Sequence, residues 1–235
     1  MRILVSGAGS GLGAYLAYKY KAESFNRASF AKINKQVIFD KIIHCAFSKF
    51  NNENEKDYIQ SHVSLCQNLL EIPHKKFIFI SSIEAAEINK SPSVYALAKR
   101  EVEKIILAKI KNYLIIRPGS LFGPGMKINQ ILKVALGDPV KLTLSSESNF
   151  SIAMYDDLLD AINLDILGIF HLTSFRNITL KEIANEFYSN PLWGEYKYST
   201  PQVECDIPFE KNSDIKNKDP LYRLSFFINA HKSSF

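Results

Sequence analysis

A short stretch in the middle of the chain has the residue types and spacing of an acid–base centre. Ser81 and Ser82 close the apolar run KKFIFISS, Glu84 follows two residues later, and Tyr95 and Lys99 stand in YALAK. Residues four apart share one face of a helix, so the phenol and the ammonium lie a turn apart. A free phenol ionises near pH 10, and each unit of depression is worth about 1.4 kcal/mol. A neighbouring ammonium favours the phenolate and supplies such a depression. The serines end a strand-like run, and the carboxyl ends of strands are where open α/β sheets bind ligands.

A second cluster lies at the start. SGAGSGLG, residues 6 to 13, follows the apolar run RILV and holds four of the ten glycines. Amide groups at the N-terminus of a helix attract anions, so a strand, a glycine loop and a helix in succession form a cradle for a pyrophosphate. Gly7 makes the turn, Gly11 lets the backbone approach the phosphates, and Gly13 lets the helix pack on the strand. Gly9 is less clearly required.

The elements that must position these clusters alternate. GLGAYLAYKYKAE, EKDYIQSHVSLCQNLLEI and SPSVYALAKREVEKIILAKI carry helical periodicity. RILVS, DKIIHCAF, KKFIFISS and NYLIIRP read as buried strands. The order predicts an α/β fold: a Rossmann-type doubly wound parallel sheet covered on both faces. Only SFNRASFAKINKQVIF separates the first helix from residue 40, too little for a complete strand–helix–strand passage of about thirty residues. SFNR is therefore expected to be a stub strand. Later, MKINQILKVALG reads as helix, VKLTLS and FSIAM as strands, YDDLLDAINLDIL as helix and GIFHLT as strand. Thr179, with Glu182 three residues on, opens another helix. STPQVECDIPFEKNSDIKNKDP reads as loop. The expected division is residues 1–123 with 150–173 as nucleotide-binding domain, and 124–149 with 174–235 as a small substrate lobe.

The glycine loop, the strand-end serines and Tyr-x3-Lys, in this order, resemble the short-chain dehydrogenase/reductase superfamily. RPGSLFGPG (117–125), FSIAMYDDLLDAI and GIFHLTSFRNITLKEIANEF resemble its extended branch, the NAD-dependent epimerase/dehydratase family. The resemblance spans residues 1 to about 188. In the extended branch the glycines run Gly-x2-Gly-x2-Gly, and here Ser10 takes the middle place. The resemblance implies Ser82, Tyr95 and Lys99 as catalytic residues, with Ser82 holding the reacting oxygen. It also implies a nicotinamide dinucleotide bound by Gly7, Gly11, Leu12, Gly13, His44, Cys45, Ala46, Tyr95, Lys99 and Pro118. Where the family often has Asn, this chain has His62. An acid usually holds the 2′-hydroxyl of NAD at the end of the second strand. Here Asn26 and Arg27 stand there, and an arginine suits a 2′-phosphate, so NADP(H) is favoured with NAD(H) as the alternative. The short path from Ser82 to Tyr95 is similar to that of capsular and deoxysugar reductases. The expected activity is reduction of a keto-sugar carried on a nucleotide. Glu84 as an additional acid/base leaves epimerisation or dehydration open, and a non-catalytic NAD(P)-binding protein is a further alternative.

Composition bounds the remaining classes. The 235 residues are 46% apolar and 23% charged, ordinary for a globular protein. A net charge of +5 is spread along the chain and suggests a solvated surface, with no nucleic-acid partner. No run of about 18 apolar residues exists to span a membrane, and MRILVSGAGS has no signal-peptide core. Three scattered cysteines and five histidines show no disulfide or metal spacing, so a cytoplasmic, metal-free protein is expected. The family implies a homodimer as a plausible assembly.

Overall fold

The computed structural model describes residues 1–25, 37–51, 54–88, 91–137, 141–210 and 213–231. The first half alternates as the periodicity predicts: β1 (Ile3–Ser6), α1 (Gly11–Tyr20), β2 (Glu23–Phe25), β3 (Phe39–His44), α2 (Glu55–Leu70), β4 (His74–Ile80), α3 (Val94–Lys109) and β5 (Tyr113–Pro118). A one-turn 3-10 segment, Ile83–Ala85, sits between β4 and α3. There follow β6 (Ser120–Phe122), α4 (Gln130–Leu136), β7 (Asn149–Phe150), β8 (Ile152–Met154), α5 (Tyr155–Asn163), β9 (Gly168–Leu172), β10 (Ile178–Thr179), α6 (Leu180–Glu186), α7 (Asp214–Asn217) and α8 (Pro220–His231).

Six strands form one parallel sheet in the order β2-β1-β3-β4-β5-β9. Side chains alternate between its faces. Val5, Ile43, Ile78 and Ile116 join one core with Leu16 of α1 and Leu158 of α5. Leu4, Ile42, Phe79 and Ile115 join the other with Leu65 of α2 and Val102 of α3. Burial on both faces is why these strands read as continuous apolar runs. A third core, built on Phe122, Leu132, Phe150, Ile178, Leu180, Ile183 and Phe227, holds the later elements together. The tail returns to the sheet through Ile207 and Ile215, which pack in the first core.

The sheet is abbreviated where expected. Among the described residues β2 is its edge, one short strand beside β1, and Asn26 and Arg27 lie outside the described residues. The chain reverses direction across the sheet between β1 and β3. This creates a switch point at their carboxyl ends, and such a crevice is where open α/β sheets take ligands.

Other expectations need correction. The long helix in MKINQILKVALG is only the seven residues of α4: Asn129 caps it through the Leu132 amide, and Gly137 in the left-handed region ends it. In VKLTLS the described residues form no strand, only a bridge from Leu144 to Tyr196. The tail carries two helices rather than loop alone. Asp219 accepts from the Leu221 amide, Pro220 opens α8, and Leu224 and Ile228 are buried. The capping box at α6 is present: Thr179 Oγ1 accepts from the Glu182 amide at 3.1 Å, and Glu182 accepts from the Thr179 amide at 2.7 Å.

Candidate active site

The glycine loop is built by close approach. Gly7 has φ +78°, and a side chain there would meet the Ala46 amide nitrogen at 2.8 Å. At Gly13 a Cβ would lie 2.1 Å from the Gly7 carbonyl oxygen, so α1 can sit on the loop only without one. Gly9 faces open space. Ser10 caps α1 without a side-chain bond, and no acid stands in the first turn. That end therefore keeps a positive partial charge with no carboxylate to answer it. The Leu12 amide is bonded to the Tyr155 hydroxyl, and the Leu12 side chain packs against the first core. Gly7, Ala8 and Gly9 form one wall of a 230 Å³ cavity, with Ala46, Phe47, Ser48, His62, Leu65 and Phe25 opposite.

Ser6 fixes that opposite wall. Its Oγ accepts the amides of Cys45 and Ala46, both at 3.2 Å, and lies 2.7 Å from Nδ1 of His44. His44 is wholly buried and stacks on Phe79. Burial first, then the charges of Lys99 and His62, push its imidazole down to about 3. Burial likewise lifts the Cys45 thiol to about 12, which makes it an inert wall.

Tyr95 and Lys99 lie on one face of α3, whose N-cap Ser93 accepts from the Ala96 amide. Lys99 is only 3% exposed. Its Nζ donates to the Ile80 carbonyl at 2.7 Å and sits 3.8 Å above the Phe47 ring. Burial pulls the ammonium down to about 7, against the opposing pull of Cys45 and Glu103. Tyr95 meets Phe47 edge-on at 5.4 Å. Burial, with the charge of Glu84 adding to it, raises its phenol above the usual range. In place of the expected depression by Lys99, burial first and the charge of Glu84 after it raise the Tyr95 phenol. Tyr95 is a neutral phenol with a proton to give.

The strand end is clamped onto the same helix. Ser82 Oγ accepts the Glu84 amide at 3.2 Å, and Arg100 of α3 donates to the carbonyls of Ala85 and Ala86 at 3.0 and 2.7 Å. Glu84 takes hydrogen bonds from Ser93 at 3.0 Å and from Tyr198 at 2.8 Å. Ser81 points the other way. It donates to Glu103 at 2.5 Å, and Glu103 is held by Arg117 through contacts of 3.0 and 2.6 Å. Ser81 thus ties β4 to α3 and β5 and leaves Ser82 as the serine on the Glu84 side. Pro118 ends β5 beside Leu172.

Two contributors escape the motif reading. Phe47 joins the cavity wall to Tyr95 and Lys99, and its ring stacks on His62 at 3.7 Å and 6°. Tyr198 reaches Glu84 from far along the chain. Neither belongs to a spaced motif, although the aromatic directly after His44-Cys45-Ala46 is a visible signal. A larger cavity of 680 Å³ lies between α1, α5 and α8, lined by Tyr15, Tyr155, Asp156, Tyr222 and Phe226; the loop glycines, Ser82, Tyr95 and Lys99 are not among its lining residues. Among the described residues no group of acids, histidines or cysteines could hold a metal ion.

Known proteins share part of this sequence and its fold. The profile described as the NAD dependent epimerase/dehydratase family matches residues 16–164. The chain is 31% identical to a UDP-glucose 4-epimerase of Vibrio cholerae, over 43% of this chain and 37% of that protein. It is also 31% identical to a ceramide reductase of Caulobacter vibrioides, over 43% of this chain and 33% of that protein. The aligned parts therefore span only about a third of either curated relative. A dTDP-4-dehydrorhamnose reductase from Clostridium acetobutylicum superposes with a TM-score of 0.75 at 18% identity, over 99% of this chain and all of that one.

Proposed function

This chain belongs to the NAD dependent epimerase/dehydratase family, and on that premise we propose that it reduces a keto-sugar carried on a nucleotide, using a nicotinamide dinucleotide. The observation that carries the reading is Tyr95, a neutral phenol one turn from Lys99 on α3, the helix whose Lys99 bonds the Ile80 carbonyl at the end of β4. The dinucleotide fits at its diphosphate. Gly7, Gly9, Gly11 and Gly13 give backbone without side chains, the start of α1 carries no acid, and the cavity lies against the loop. Ala46 lines that cavity, His44 and Cys45 stand just before Ala46 at the end of β3, and Pro118 ends β5. When bound, the nicotinamide supplies the hydride.

The chain's own groups do the rest. Ser82 holds the carbonyl oxygen, and Tyr95 gives that oxygen its proton as the carbon is reduced. The phenolate left behind is then stabilised by the Lys99 ammonium. The residues of 124–149 and 174–235 are assigned the sugar nucleotide. Arg27, as a residue type suited to a 2′-phosphate, supports NADPH, with NADH as the alternative.

Glu84 beside Tyr95 favours a second reading, in which a carboxylate removes a proton next to the carbonyl, as epimerisation or dehydration requires. Its two hydrogen bonds from Ser93 and Tyr198 speak for a fixed acceptor instead. A screen of 4-keto-sugar nucleotides with NADPH separates the readings. Reduction predicts stoichiometric NADPH loss that Tyr95→Phe lowers by about 100-fold or more, the range of a lost general acid. Sugar isomerisation or water loss without net NADPH consumption would replace it with the second reading.

A further inference from the structure

One ring stands between the nucleotide cavity and the reactive pair. Phe47 lines the 230 Å³ cavity together with Gly7, Ala8 and Gly9. The same ring covers Lys99 Nζ at 3.8 Å, meets Tyr95 at 5.4 Å and stacks flat on His62 at 3.7 Å. Lys99 is consequently shut in, 3% exposed, with the Ile80 carbonyl on one side and the aromatic face on another. A cavity of 230 Å³ is also below the roughly 300–1,000 Å³ usual for small-molecule sites. It suits part of a dinucleotide rather than the whole.

We propose that Phe47 determines which nucleotides this cleft accepts: the closed ring leaves room for an adenosine diphosphate moiety at the glycine loop, and a nicotinamide ribose reaches Lys99 only after the ring turns away. The assignment rests on the cofactor reading above and extends it to a residue outside the glycine, serine and Tyr-x3-Lys motifs. The neighbouring backbone constrains how the ring moves. Ser6 pins the amides of Cys45 and Ala46 before it. After it, the Ser48 carbonyl accepts from the Tyr58 hydroxyl at 2.7 Å, and the Ser48 hydroxyl lies 3.1 Å from Nε2 of His62. With both flanks tethered, opening is a rotation of the Phe47 side chain and not a swing of the loop. It gives up the stack on His62, the edge contact with Tyr95 and the ammonium–ring contact with Lys99, which the incoming ribose and its hydroxyls replace.

Stopped-flow binding tests this without any substrate turnover. The probes are NADPH, followed by its own fluorescence, and a methylanthraniloyl derivative of ADP, which has no nicotinamide ribose. In the unmodified protein the ADP probe is expected to bind at a rate linear in its concentration. The NADPH rate should instead saturate, because ring opening limits it. In Phe47→Ala the saturation should vanish and NADPH should bind about tenfold more tightly, the worth of the contacts no longer broken. The ADP probe should change less than twofold. Phe47→Leu, which keeps apolar bulk but cannot stack, should fall between them and guards against a folding defect. The proposal is overturned if NADPH binding is linear in the unmodified protein, or if Phe47→Ala leaves it unchanged or weakens it, as loss of a stacking platform would. It is equally overturned if the ADP probe binds but NADPH fails to bind even Phe47→Ala. If neither probe binds any of the three proteins, the cofactor reading itself fails.

Discussion

His44 gives the clearest consequence of a single residue's surroundings. Ser6 Oγ accepts two amides, so its own proton goes to Nδ1 of His44, and the imidazole carries its proton on Nε2. The ring is buried neutral, with its pKa pushed from 6.5 down to about 3 by burial first and by Lys99 and His62 after it. Below pH 6.5 the unfolded chain binds a proton that the folded protein refuses. Stability from this group is therefore full above 6.5 and falls as the pH drops toward 3, by up to about 1.4 kcal/mol per unit. Urea unfolding of the unmodified protein between pH 7 and 5 should show that slope. His44→Gln, which can accept from Ser6 but cannot titrate, should be flatter by a similar amount. Parallel profiles would contradict the burial of a neutral ring. At this scale the placement of Tyr95 and Lys99 on one helix, and of the glycines between β1 and α1, was legible, because it lies in spacing along one helix or one loop. The electrostatics were not: burial and Glu84 raise Tyr95 in place of the expected depression, and burial is a property of the packed neighbours. Phe47 and Tyr198 act through contacts among distant segments, which no local pattern encodes.

Among the elements, α1 packs closely on the glycine loop. A methyl at Gly13 would come within 2.1 Å of the Gly7 oxygen, whereas one at Gly9 would meet nothing within 4 Å. Gly13→Ala should cost about 1–3 kcal/mol by overpacking and displace the cradle. Thermal melting should register that loss, and NADPH affinity should fall at least tenfold. Gly9→Ala should stay within about 0.5 kcal/mol of the unmodified protein, as open surface positions do. Equal losses in the two variants would refute the packing described. The sheet strands were legible as apolar runs because both faces are covered. Lys41 and Lys76 interrupt the β3 and β4 runs, and the structure supplies the reason: both reach the end of α5, bonding the carbonyls of Ile162 at 3.0 Å and Leu164 at 3.5 Å. Helix α8 was missed despite a readable signal, Asp219 before Pro220 and apolar residues at 224, 227 and 228, because the polar run in front of it dominated the composition. Strands of two residues such as β7 and β10 exist only through their pairing, and nothing in so short a segment announces them.

Across the whole molecule, Tyr198 links the third core to the candidate active site. Its ring stacks on Phe150 at 5.1 Å, and its hydroxyl donates to Glu84. Tyr198→Phe keeps the stack and removes the donor, so stability should drop by about 1.5–3 kcal/mol, the worth of a hydrogen bond to a charged group. Turnover of a keto-sugar nucleotide should fall while NADPH affinity stays unchanged. A fall in NADPH affinity would place Tyr198 on the cofactor side and contradict its assignment. The two-sided sheet was legible from the order of elements, but the return of the tail to the first and third cores was not, because it depends on which surfaces the first half leaves open. The decisive measurement is an equilibrium fluorescence titration of the purified protein with NADPH and NADH, run beside Tyr95→Phe. Saturable binding of a reduced nicotinamide dinucleotide by both proteins, with turnover lost only in Tyr95→Phe, is the predicted result. No saturable binding of either dinucleotide, once copurified cofactor has been excluded, would contradict the proposed function outright.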